Sequence, residues 1–579
     1  MFKAGCSIAI AMIMPAADGL QSRGSPLARM IIEGVYSDWS EVPVAFADPP
    51  NDNGSSVVDI GNVWLANDED YIYVRFEIGT LENLQTIDTP MRIYFDVDRS
   101  AATDWPIGNI GSDFVLLFPE RRGAEQTSDT FDAADLGHAD LSLVSGPTVA
   151  GTEFELRVRR NTVFPIRGTE IFAGPDFDVV FEGQDGRGAA QEWAPDGPVG
   201  HTYTLATGTL PPYPTIPLDR QDPDSVRVIA YNVLNDGLVE RPEVFERVLV
   251  ALQPDIICFS ELYGTSEATI RDRLEDILPL GGGASWHVYK SNDTAVAARW
   301  PLSMQAGDTI PSTGNEQAMA LIDLPDTDYD VDLYVISAHY KCCGSIGGSE
   351  DQQRQQHSDA NVNWFRDLRE PGGNVNLPID TPFLIAGDFN MVGGPQPLDT
   401  LLDGHIIDQA TFGADSPPDW DHSDSADPIP LHNAGPGAYT WRSDSSSFAP
   451  GRLDFVIYTD SVMTVAGSFV LNTLDMSAED LTSHGLQAQD TAEASDHLPL
   501  VVDFKPGRPV PGDADHDGDV DLDDFRVFAD CFAGPDIAPN PSLPGVTEQD
   551  CLDAFDFDEA DGDVDLQDFG MFEHAFTGV

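Results

Sequence analysis

The sequence predicts a multidomain chain: an antiparallel β-sandwich, then a layered α/β domain, then a small α-helical domain. Its 579 residues are too many for one hydrophobic core. Short alternating apolar runs fill residues 27–205, strand-like and helical patterns alternate over 224–505, and aspartate-rich loops precede helical segments in 513–579. Each pattern is typical of a different fold class, so we expect three separate domains.

Residues 27–205 contain runs such as VVDIGNVWLA and YIYVRFEI, separated by Gly, Asn, Asp and Pro. Strands with turn signals at this spacing indicate an antiparallel sandwich. The segments IIEGVYSDWSEVP, VWLANDEDYIYVRFE and IYFDVD resemble the carbohydrate-binding modules of the family-nine-like sandwich group. The resemblance implies a carbohydrate ligand, for which Trp105 is the stacking candidate, whereas Trp39 and Trp64 are expected in the core.

Two proline-rich segments are expected to be linkers. Residues 206–223 hold five prolines without periodicity, and residues 506–512 read PGRPVPG. At the start of the chain, residues 1–20 combine Lys3, an apolar stretch and small residues before Asp18, which resembles a secretory signal peptide. We therefore expect a secreted or extracellular protein, and no apolar run is long enough for a membrane span.

Six motifs in residues 224–505 carry the functional prediction. They are VRVIAYNVLND, PDIICFSEL, VISAHYK, FLIAGDFNMV, GRLDFVIY and ASDHLPLVVDF, which begin at residues 226, 254, 335, 383, 451 and 494. Most pair an apolar strand-like run with acidic, amide or imidazole residues near its end, which brings polar groups to one rim of a buried sheet. This combination indicates metal-assisted phosphoester hydrolysis.

The six motifs together resemble the endonuclease/exonuclease/phosphatase superfamily, deoxyribonuclease-like, over residues 225–505. The resemblance implies a four-layer α/β sandwich with a metal between strand ends. It assigns Asn232, Glu261 and Asp496 as ligands of Mg²⁺ or Mn²⁺, a hard cation that prefers oxygen. Taken singly, an Asn or Glu after a strand is more often a turn or cap residue.

The resemblance also assigns the catalytic residues. Asp388 and Asn390 in GDFN match the pair that orients the attacking water, although DFN also suits an Asx turn. Asp454 and His497 match a carboxylate–imidazole couple that exchanges a proton or binds phosphate. His339 matches a second histidine of the nuclease and sphingomyelinase branches.

Three further residues complete the predicted site. Asp293 is the candidate carboxylate that supports His339, by its position in the chain alone. Thr440 and Trp441 in YTWR resemble a substrate-binding segment, and a buried Trp at a sheet end is the alternative.

Charge bears on the substrate. With 98 acidic and 30 basic residues, the formal charge of −68 repels a polyanion over most of the surface. Nucleic acid is nevertheless the first substrate that the resemblance implies, with a phospholipid or small phosphodiester as the alternative. A non-catalytic surface protein on a degenerate catalytic fold is the alternative of another class.

The tail carries two aspartate-rich loops that match the oxygen ligands and the glycine turn of an EF-hand-like calcium site. The first places carboxylates around Gly518, and the second has one extra residue before Gly562. The predicted Ca²⁺ ligands are Asp513, Asp515, Asp517, Asp519, Asp521, Asp524, Asp556, Asp558, Asp561, Asp565 and Asp568. The loops resemble those of dockerins, which implies a cohesin partner; a calcium-stabilised spacer is the alternative.

Cysteine positions predict one disulfide. Cys531 and Cys551 bracket a loop in the small tail domain, where a covalent link contributes most. For the adjacent Cys342 and Cys343, a strained vicinal bridge and two free thiols are both open.

Overall fold

The computed structural model describes residues 27–87, 90–309, 316–507, 512–514, 520, 522–535, 537–543, 546–557 and 562–576. The predicted signal peptide lies outside these residues. So do six of the predicted calcium ligands, which are Asp515, Asp517, Asp519, Asp521, Asp558 and Asp561. Within the described ranges, no helix combines the length and apolar character needed to cross a membrane.

Residues 27–205 form two antiparallel sheets and a short ribbon. The elements are β1 (Val44–Ala47), β2 (Asn62–Asn67), β3 (Tyr71–Glu82), β4 (Met91–Asp96), β5 (Trp105–Ile107), β6 (Ile110–Ser112), β7 (Phe114–Leu117), β8 (Arg122–Thr127), β9 (Thr130–Leu136), α1 (His138–Leu141), β10 (Val144–Gly146), β11 (Gly151–Arg159), β12 (Asp176–Gln184), β13 (Ala190–Ala194) and β14 (His201–Thr204). One sheet has the order β1-β2-β3-β11-β10 and the other β13-β12-β4-β7-β8-β9, with β14 also on β12. Strands β5 and β6 form the ribbon.

The two sheets share one core because apolar side chains alternate along their strands. Val74 and Phe76 from β3 belong to the same buried cluster as Ile93 and Phe95 from β4. Of the tryptophans considered above, Trp39 is buried, Trp64 is half-buried with the Arg75 guanidinium 4.2 Å from its ring, and Trp105 packs edge-on against Phe131.

Residues 226–506 contain two further sheets. Their strands are β15 (Val226–Asn232), β16 (Ile256–Ser260), β17 (His287–Ser291), β18 (Thr294–Ala298), β19 (Leu302–Thr309), β20 (Glu316–Ile322), β21 (Leu333–His339), β22 (Phe383–Asp388), β23 (Asp454–Tyr458), β24 (Met463–Val470) and β25 (Leu500–Pro506). The first has the order β17-β18-β16-β15-β25-β24 and the second β19-β20-β21-β22-β23. The helices between them are α2 (Gly237–Glu240), α3 (Pro242–Leu252), α4 (Glu267–Ile277), α5 (Ser349–Arg369), α6 (Gln396–Asp403), α7 (Gln409–Phe412), α8 (Ala478–His484) and α9 (Asp490–Ala494).

Strand alternation produces four layers in this domain. Val228 of β15 and Val335 of β21 lie in one core between the two sheets. Ile229 of β15 points to the opposite face and packs in a second core that includes α3 and α4. Ile336 of β21 packs likewise against α5 and α6. Each sheet is therefore covered by helices on its outer face, as expected for a buried α/β sheet.

The N-terminal region packs directly on this domain. Buried side chains of Met30, Ile32 and Tyr73 belong to the same cluster as the inter-sheet core of residues 226–506. The backbone N–H of Ala150 donates to Gly393 O over 2.8 Å. The two units therefore share a continuous interface.

The proline-rich segment 206–223 is extended and also bound over its second half. The N–H of Ile216 donates to Asn433 O over 2.8 Å, and Leu218 is buried in the core next to α3. Arg220 forms a salt bridge of 2.6 Å with Asp255. The composition suggested a spacer, but this segment also belongs to the folded unit.

The tail contains α10 (Leu522–Cys531), α11 (Glu548–Phe555) and α12 (Leu566–Ala575). Phe528, Phe555 and Phe572 form its aromatic core. A disulfide joins Cys531 to Cys551, and so links α10 to α11.

Candidate active site

Strand register brings three predicted residues together in the second sheet. In the parallel pair β21–β22, His339 lies opposite Asp388, and in the antiparallel pair β22–β23, Asp388 lies opposite Asp454. Each residue is at the end of its strand. The three side chains therefore stand next to one another at one edge of the sheet.

The first sheet contributes Asn232 and Glu261 to the same edge. Asn232 ends β15 and lies opposite Ser260, the last residue of β16. Glu261 follows in a left-handed conformation with φ of 63°. The Asn232 Nδ2 group donates to Glu261 Oε1 over 3.1 Å and to Asp388 Oδ2 over 3.0 Å. Asn232 thus connects the edges of the two sheets.

His497 sits between the carboxylates of Asp454 and Asp388. Its Nδ1 is 2.8 Å from Asp454 Oδ2, and its Nε2 is 3.6 Å from Asp388 Oδ2. Burial lowers the pKa of His497, but the attraction of Asp454 and Asp388 outweighs it and raises the pKa to about 10. The imidazole is therefore a cation at neutral pH.

A second imidazole lies on the other side of Asp388. His339 Nδ1 is 2.6 Å from Oδ2 of Asp293, the carboxylate that the sequence proposed as its support. His339 Nε2 is 3.6 Å from Asp388 Oδ2. Burial lowers the pKa of His339, whereas the hydrogen bond to Asp293 and the charge of Asp388 raise it, and the net direction is upward. Both histidines present Nε2 to the same carboxylate.

The Asp388 side chain is held in place by an Asx turn as well as by its hydrogen bond from Asn232. Its Oδ1 accepts the N–H of Asn390 over 3.0 Å, and its Oδ2 accepts the Asn390 side-chain amide over 2.8 Å. Asn390 has a φ of 50°, as such a turn allows. Burial raises the pKa of Asp388, and the charges of His497 and His339 oppose that shift. The turn and the catalytic interpretation of GDFN are thus compatible.

The structure separates the two predicted substrate-side residues. Trp441 lines the cavity and its indole Nε1 donates to Asp496 Oδ2 over 3.1 Å. Thr440 is fully buried, and its Oγ1 accepts the N–H groups of Leu453 and Asp454 over 2.9 and 2.8 Å. Thr440 does not line the cavity, and its hydroxyl positions the Leu453 and Asp454 backbone; its contact with substrate stays a prediction from sequence.

The donor set fits a hard divalent cation. The predicted ligands are the carboxylates of Glu261 and Asp496 and the amide of Asn232, which can all coordinate through oxygen. The Asp496 Oδ1 atom is buried without a hydrogen-bond partner. The partially positive Asn232 amide already lies between two carboxylates. Among the described residues of this site, Asp388, Asp454 and His497 each have one potential metal-ligand atom within 4.8 Å of the other two. This cluster consists of predicted catalytic residues and does not include the predicted cation ligands Asn232, Glu261 and Asp496, whose role stays a prediction.

A cavity of about 460 Å³ is lined by Glu261, His339, Asp388, Asn390, Asp496 and His497 of the predicted site. One wall comes from the N-terminal region, through Asn83, Gln85, Thr86 and Thr148. Apolar and aromatic residues form much of the remainder, namely Tyr263, Val392, Trp441, Phe448 and Leu453. No local motif could have shown the N-terminal wall, because it arises from contact between two domains.

The N-terminal wall is tied to the loop opposite it. The Gln85 side chain accepts the Ala449 N–H over 2.8 Å and donates to Ala449 O over 3.4 Å. Thr148 Oγ1 accepts the Arg452 N–H over 2.9 Å. A Cβ placed on Gly451 would lie 2.8 Å from the Thr148 side chain, so glycine is needed for this approach. The wall is therefore a fixed part of the cavity.

Basic side chains are scarce at the cavity. Lys341 is the one Lys or Arg among its described lining residues. Three arginines of this domain are engaged elsewhere, since Arg452 pairs with Asp427, Arg442 with Asp444 and Arg299 with Asp255. This arrangement offers few contacts to the phosphates of a duplex.

The adjacent cysteines also reach the cavity. Cys342 and Cys343 are free thiols, and the Cys343 Sγ–H donates to Cys342 Sγ over 2.9 Å. Burial and the neighbouring thiol raise the pKa of Cys342 to about 11. At neutral pH the Cys342 side chain is therefore a neutral thiol.

Several predicted calcium ligands in the tail are described. Asp513 is buried, and Asp524 Oδ1 accepts the Ala514 N–H over 2.7 Å. Asp568 Oδ1 accepts the Phe557 N–H over 2.9 Å, which brings the start of the second loop, at Asp556, to α12. The potential ligand atoms of Asp563, Asp565 and Asp568 lie within 4.8 Å of one another. Asp563 was not predicted, although it follows Gly562 as Asp519 follows Gly518.

Residues 229–497 match the model of the Endonuclease/Exonuclease/phosphatase family. The match covers somewhat under half of the chain and lies within the α/β domain. No curated protein sequence matches the chain.

Solved structures of low identity are similar to the same part. The human Nocturnin catalytic domain with bound sulfate anion is 16% identical, covering 49% of this chain and 95% of that one, with a TM-score of 0.31. The D. rerio TDP2 complexed with single strand DNA product is 15% identical, covering 48% and 99%, with a TM-score of 0.30. An endonuclease/exonuclease/phosphatase family protein from Leptotrichia buccalis is 14% identical, covering 48% and 99%, with a TM-score of 0.31.

Proposed function

We propose that residues 224–505 hydrolyse a phosphodiester with the help of Mg²⁺ or Mn²⁺, and that the substrate is compact and carries a largely apolar group. The observation that carries this proposal is the buried cluster of Asp388, Asp454 and His497, of which Asp388 and His497 line a cavity with one wall from the N-terminal region. Perturbed titratable groups that converge in a pocket are typical of an active site.

The proposed chemistry divides between the cation and the side chains. Asn232, Glu261 and Asp496 would hold the cation, and the chemistry it would supply is neutralisation of charge that develops on the phosphoryl oxygens. Asp388 and Asn390 orient the attacking water, and the carboxylate of Asp388 accepts its proton. His497, kept cationic by Asp454, donates a hydrogen bond from Nε2 to the phosphate.

His339 takes the corresponding position on the opposite side of Asp388. Its Nδ1 is 2.6 Å from Asp293 Oδ2, and its Nε2, which faces Asp388, is the atom proposed to contact the phosphate or the leaving group. The cationic His497 and the hydrogen-bond donor His339 flank one carboxylate and can contact a single phosphate without a surface rich in Lys or Arg.

The cavity favours a small phosphodiester over duplex nucleic acid. Its volume of about 460 Å³ is in the range of small-molecule sites, about 300–1,000 Å³. Its lining is mainly apolar, with one lysine among the described residues. A polyanion would also meet the net charge of −68. Nucleic acid, which the sequence suggested first, is thus the comparison substrate.

We expect hydrolysis of bis(p-nitrophenyl) phosphate by the full chain with Mg²⁺, and a fall of about 100-fold or more in excess EDTA, because the cation contributes several kcal/mol to the transition state. Supercoiled plasmid and single-stranded oligonucleotide are measured in parallel, with Glu261→Gln as the variant of a predicted ligand. Hydrolysis that is unaffected by EDTA, or absent in folded protein with every substrate, contradicts the proposal. A higher kcat/KM per phosphodiester bond for plasmid than for bis(p-nitrophenyl) phosphate contradicts the proposed substrate class.

We expect Gln85→Ala to raise KM for the aryl phosphodiester by about 3–10-fold with kcat within about twofold, since loss of two hydrogen bonds to Ala449 loosens only the wall. Gln191→Ala is the matched control, because Gln191 lies on β13 of the same region and does not line the cavity. Equal kinetics for the two variants would show that the N-terminal wall does not contact this substrate.

Export of the protein, Ca²⁺ in the tail, a carbohydrate ligand of the N-terminal region and a cohesin-like partner are further proposals that rest on the sequence. A β-sandwich of the carbohydrate-binding type and a dockerin-like tail are the corresponding domain proposals. The cluster of Asp563, Asp565 and Asp568 supports calcium in the tail.

A further inference from the structure

Five carboxylates converge in the N-terminal region, away from the cavity. Asp48 follows β1 and Asp52 lies in the loop after it, while Asp59 precedes β2. Glu192 is on β13 of the other sheet, and Asp196 follows that strand. The group therefore spans the two sheets at the loop formed by residues 48–61.

Their oxygens share one small volume. One potential ligand atom from each of Asp48, Asp52 and Asp196 lies within 4.8 Å of the other two, and the same holds for Asp52, Asp59 and Glu192. Asp52 belongs to both sets, which joins them into one cluster. In the described part of the chain, none of the five forms a salt bridge with Lys, Arg or His, whereas other buried acids of this region do, such as Asp113 with Arg167.

The Asp48 side chain provides an independent sign of a ligand. Its exposed fraction is 7%, and both of its carboxylate oxygens are buried without a hydrogen-bond partner. Asp68, buried to a similar degree in the same region, accepts hydrogen bonds from the N–H groups of Asp70 and Tyr71 and from the Tyr73 hydroxyl. A buried carboxylate without donors is costly, and a bound cation would relieve that cost.

The electrostatics agree with this geometry. Burial, followed by the charges of Asp52 and Asp196, raises the pKa of Asp48 to about 6. Burial, followed by Asp48, Asp52 and Asp59, raises the pKa of Glu192 to about 8, despite the hydrogen bond from the Ile60 N–H. The neighbouring carboxylates thus disfavour the charged forms of Asp48 and Glu192 in the absence of a counter-charge.

We propose that Asp48, Asp52, Asp59, Glu192 and Asp196 bind one Ca²⁺ that joins the loop of residues 48–61 to β13. Calcium takes six to eight oxygen ligands in flexible geometry, which up to five mono- or bidentate carboxylates and water can supply. Mg²⁺ demands a near-ideal octahedron and keeps its water, and zinc favours nitrogen and sulfur. The all-carboxylate set therefore selects calcium.

The proposed ion is structural. It lies between an element of each sheet, so it fixes the long β1–β2 connection against the neighbouring sheet. Because the same N-terminal region forms a wall of the cavity, calcium is expected to stabilise that region without taking part in hydrolysis. This inference does not depend on the proposed function.

Hydrogen–deuterium exchange of the full chain, in EDTA and in Ca²⁺, tests the site separately from the tail loops. For wild type we expect exchange in peptides covering 48–61 and 190–196 to slow about tenfold or more when Ca²⁺ is added. Asp48→Asn should lose this response. Asp129→Asn, which removes an exposed carboxylate of the same region outside the cluster, should keep it.

The difference in exchange rate between variant and wild type in EDTA gives a second readout. Without calcium, Asp48→Asn should exchange as slowly as wild type or more slowly in these peptides, because it removes a buried charge that has no donor. If Asp48→Asn does not fold, Asp52→Asn, at an exposed position, replaces it. No calcium response in the wild-type peptides, an unchanged response in the variant, or equal protection by Mg²⁺ overturns the proposal.

Discussion

Replacement of His497 by alanine is expected to lower the kcat/KM for bis(p-nitrophenyl) phosphate by about 10²–10⁴-fold, the contribution of a positioned acid–base group. His497 is the side chain that both Asp454 and Asp388 hold in place. Its charge at neutral pH is set by these carboxylates, so its removal takes away a cationic group next to Asp388. The measurement is steady-state hydrolysis at saturating Mg²⁺.

The matched control for this prediction is His484→Ala. His484 lies at the end of α8, outside the cavity, and its Nδ1 is within 2.9 Å of the Asp480 carbonyl. Circular dichroism and exchange of β25 amides establish that both variants are folded. Activity of His497→Ala within about threefold of the control would show that the non-catalytic alternative, or another site, is correct.

Strand-end chemistry made much of the site predictable from sequence. A polar residue at the end of an apolar strand is placed at the sheet edge by the strand itself, so Asn232, His339, Asp388 and Asp454 meet once the strands pair. The strand register then determines which residues are neighbours, because it places His339 and Asp454 on either side of Asp388. Such positions depend on local pattern and a simple topology.

Other parts depend on contacts that no local pattern contains. Thr440 stands next to Trp441 in sequence, yet one supports the Asp454 backbone and the other lines the cavity, since neighbouring residues of an extended segment point in opposite directions. Gln85 reaches the cavity because two domains pack together. The Asp48 and Glu192 carboxylates are separated by most of the N-terminal region and meet only when its two sheets close on each other.

The largest expected effect on stability is at Arg227 and Asp503, a buried ion pair between the central strands β15 and β25. Their register places them opposite each other, and Arg227 Nε and Nη2 donate to the two Asp503 oxygens, each over 2.7 Å. Arg227 Nη1 also donates to Leu218 O and Leu252 O. The side chains are 2% and 6% exposed, so neither charge can turn to water.

We expect Asp503→Ala to lower the free energy of unfolding of this domain by about 3–5 kcal/mol, because it leaves a guanidinium buried without its counter-ion. Replacement of both residues, Arg227→Met with Asp503→Leu, should recover most of the Asp503→Ala loss, since the desolvation cost then disappears with the charges. The measurement is urea unfolding followed by exchange of the β15 amides, residues 226–232.

The exposed pair Arg271–Asp272, with its nitrogen and oxygen 3.6 Å apart, provides the contrast. Asp272→Ala should change the same free energy by less than about 1 kcal/mol, because both groups are solvated in either state. A loss in Asp503→Ala no larger than in Asp272→Ala would mean that the buried charge of Arg227 is compensated by the Leu218 and Leu252 carbonyls. In that case the docked segment 206–223, which supplies Leu218, would be the main stabilising partner of β15.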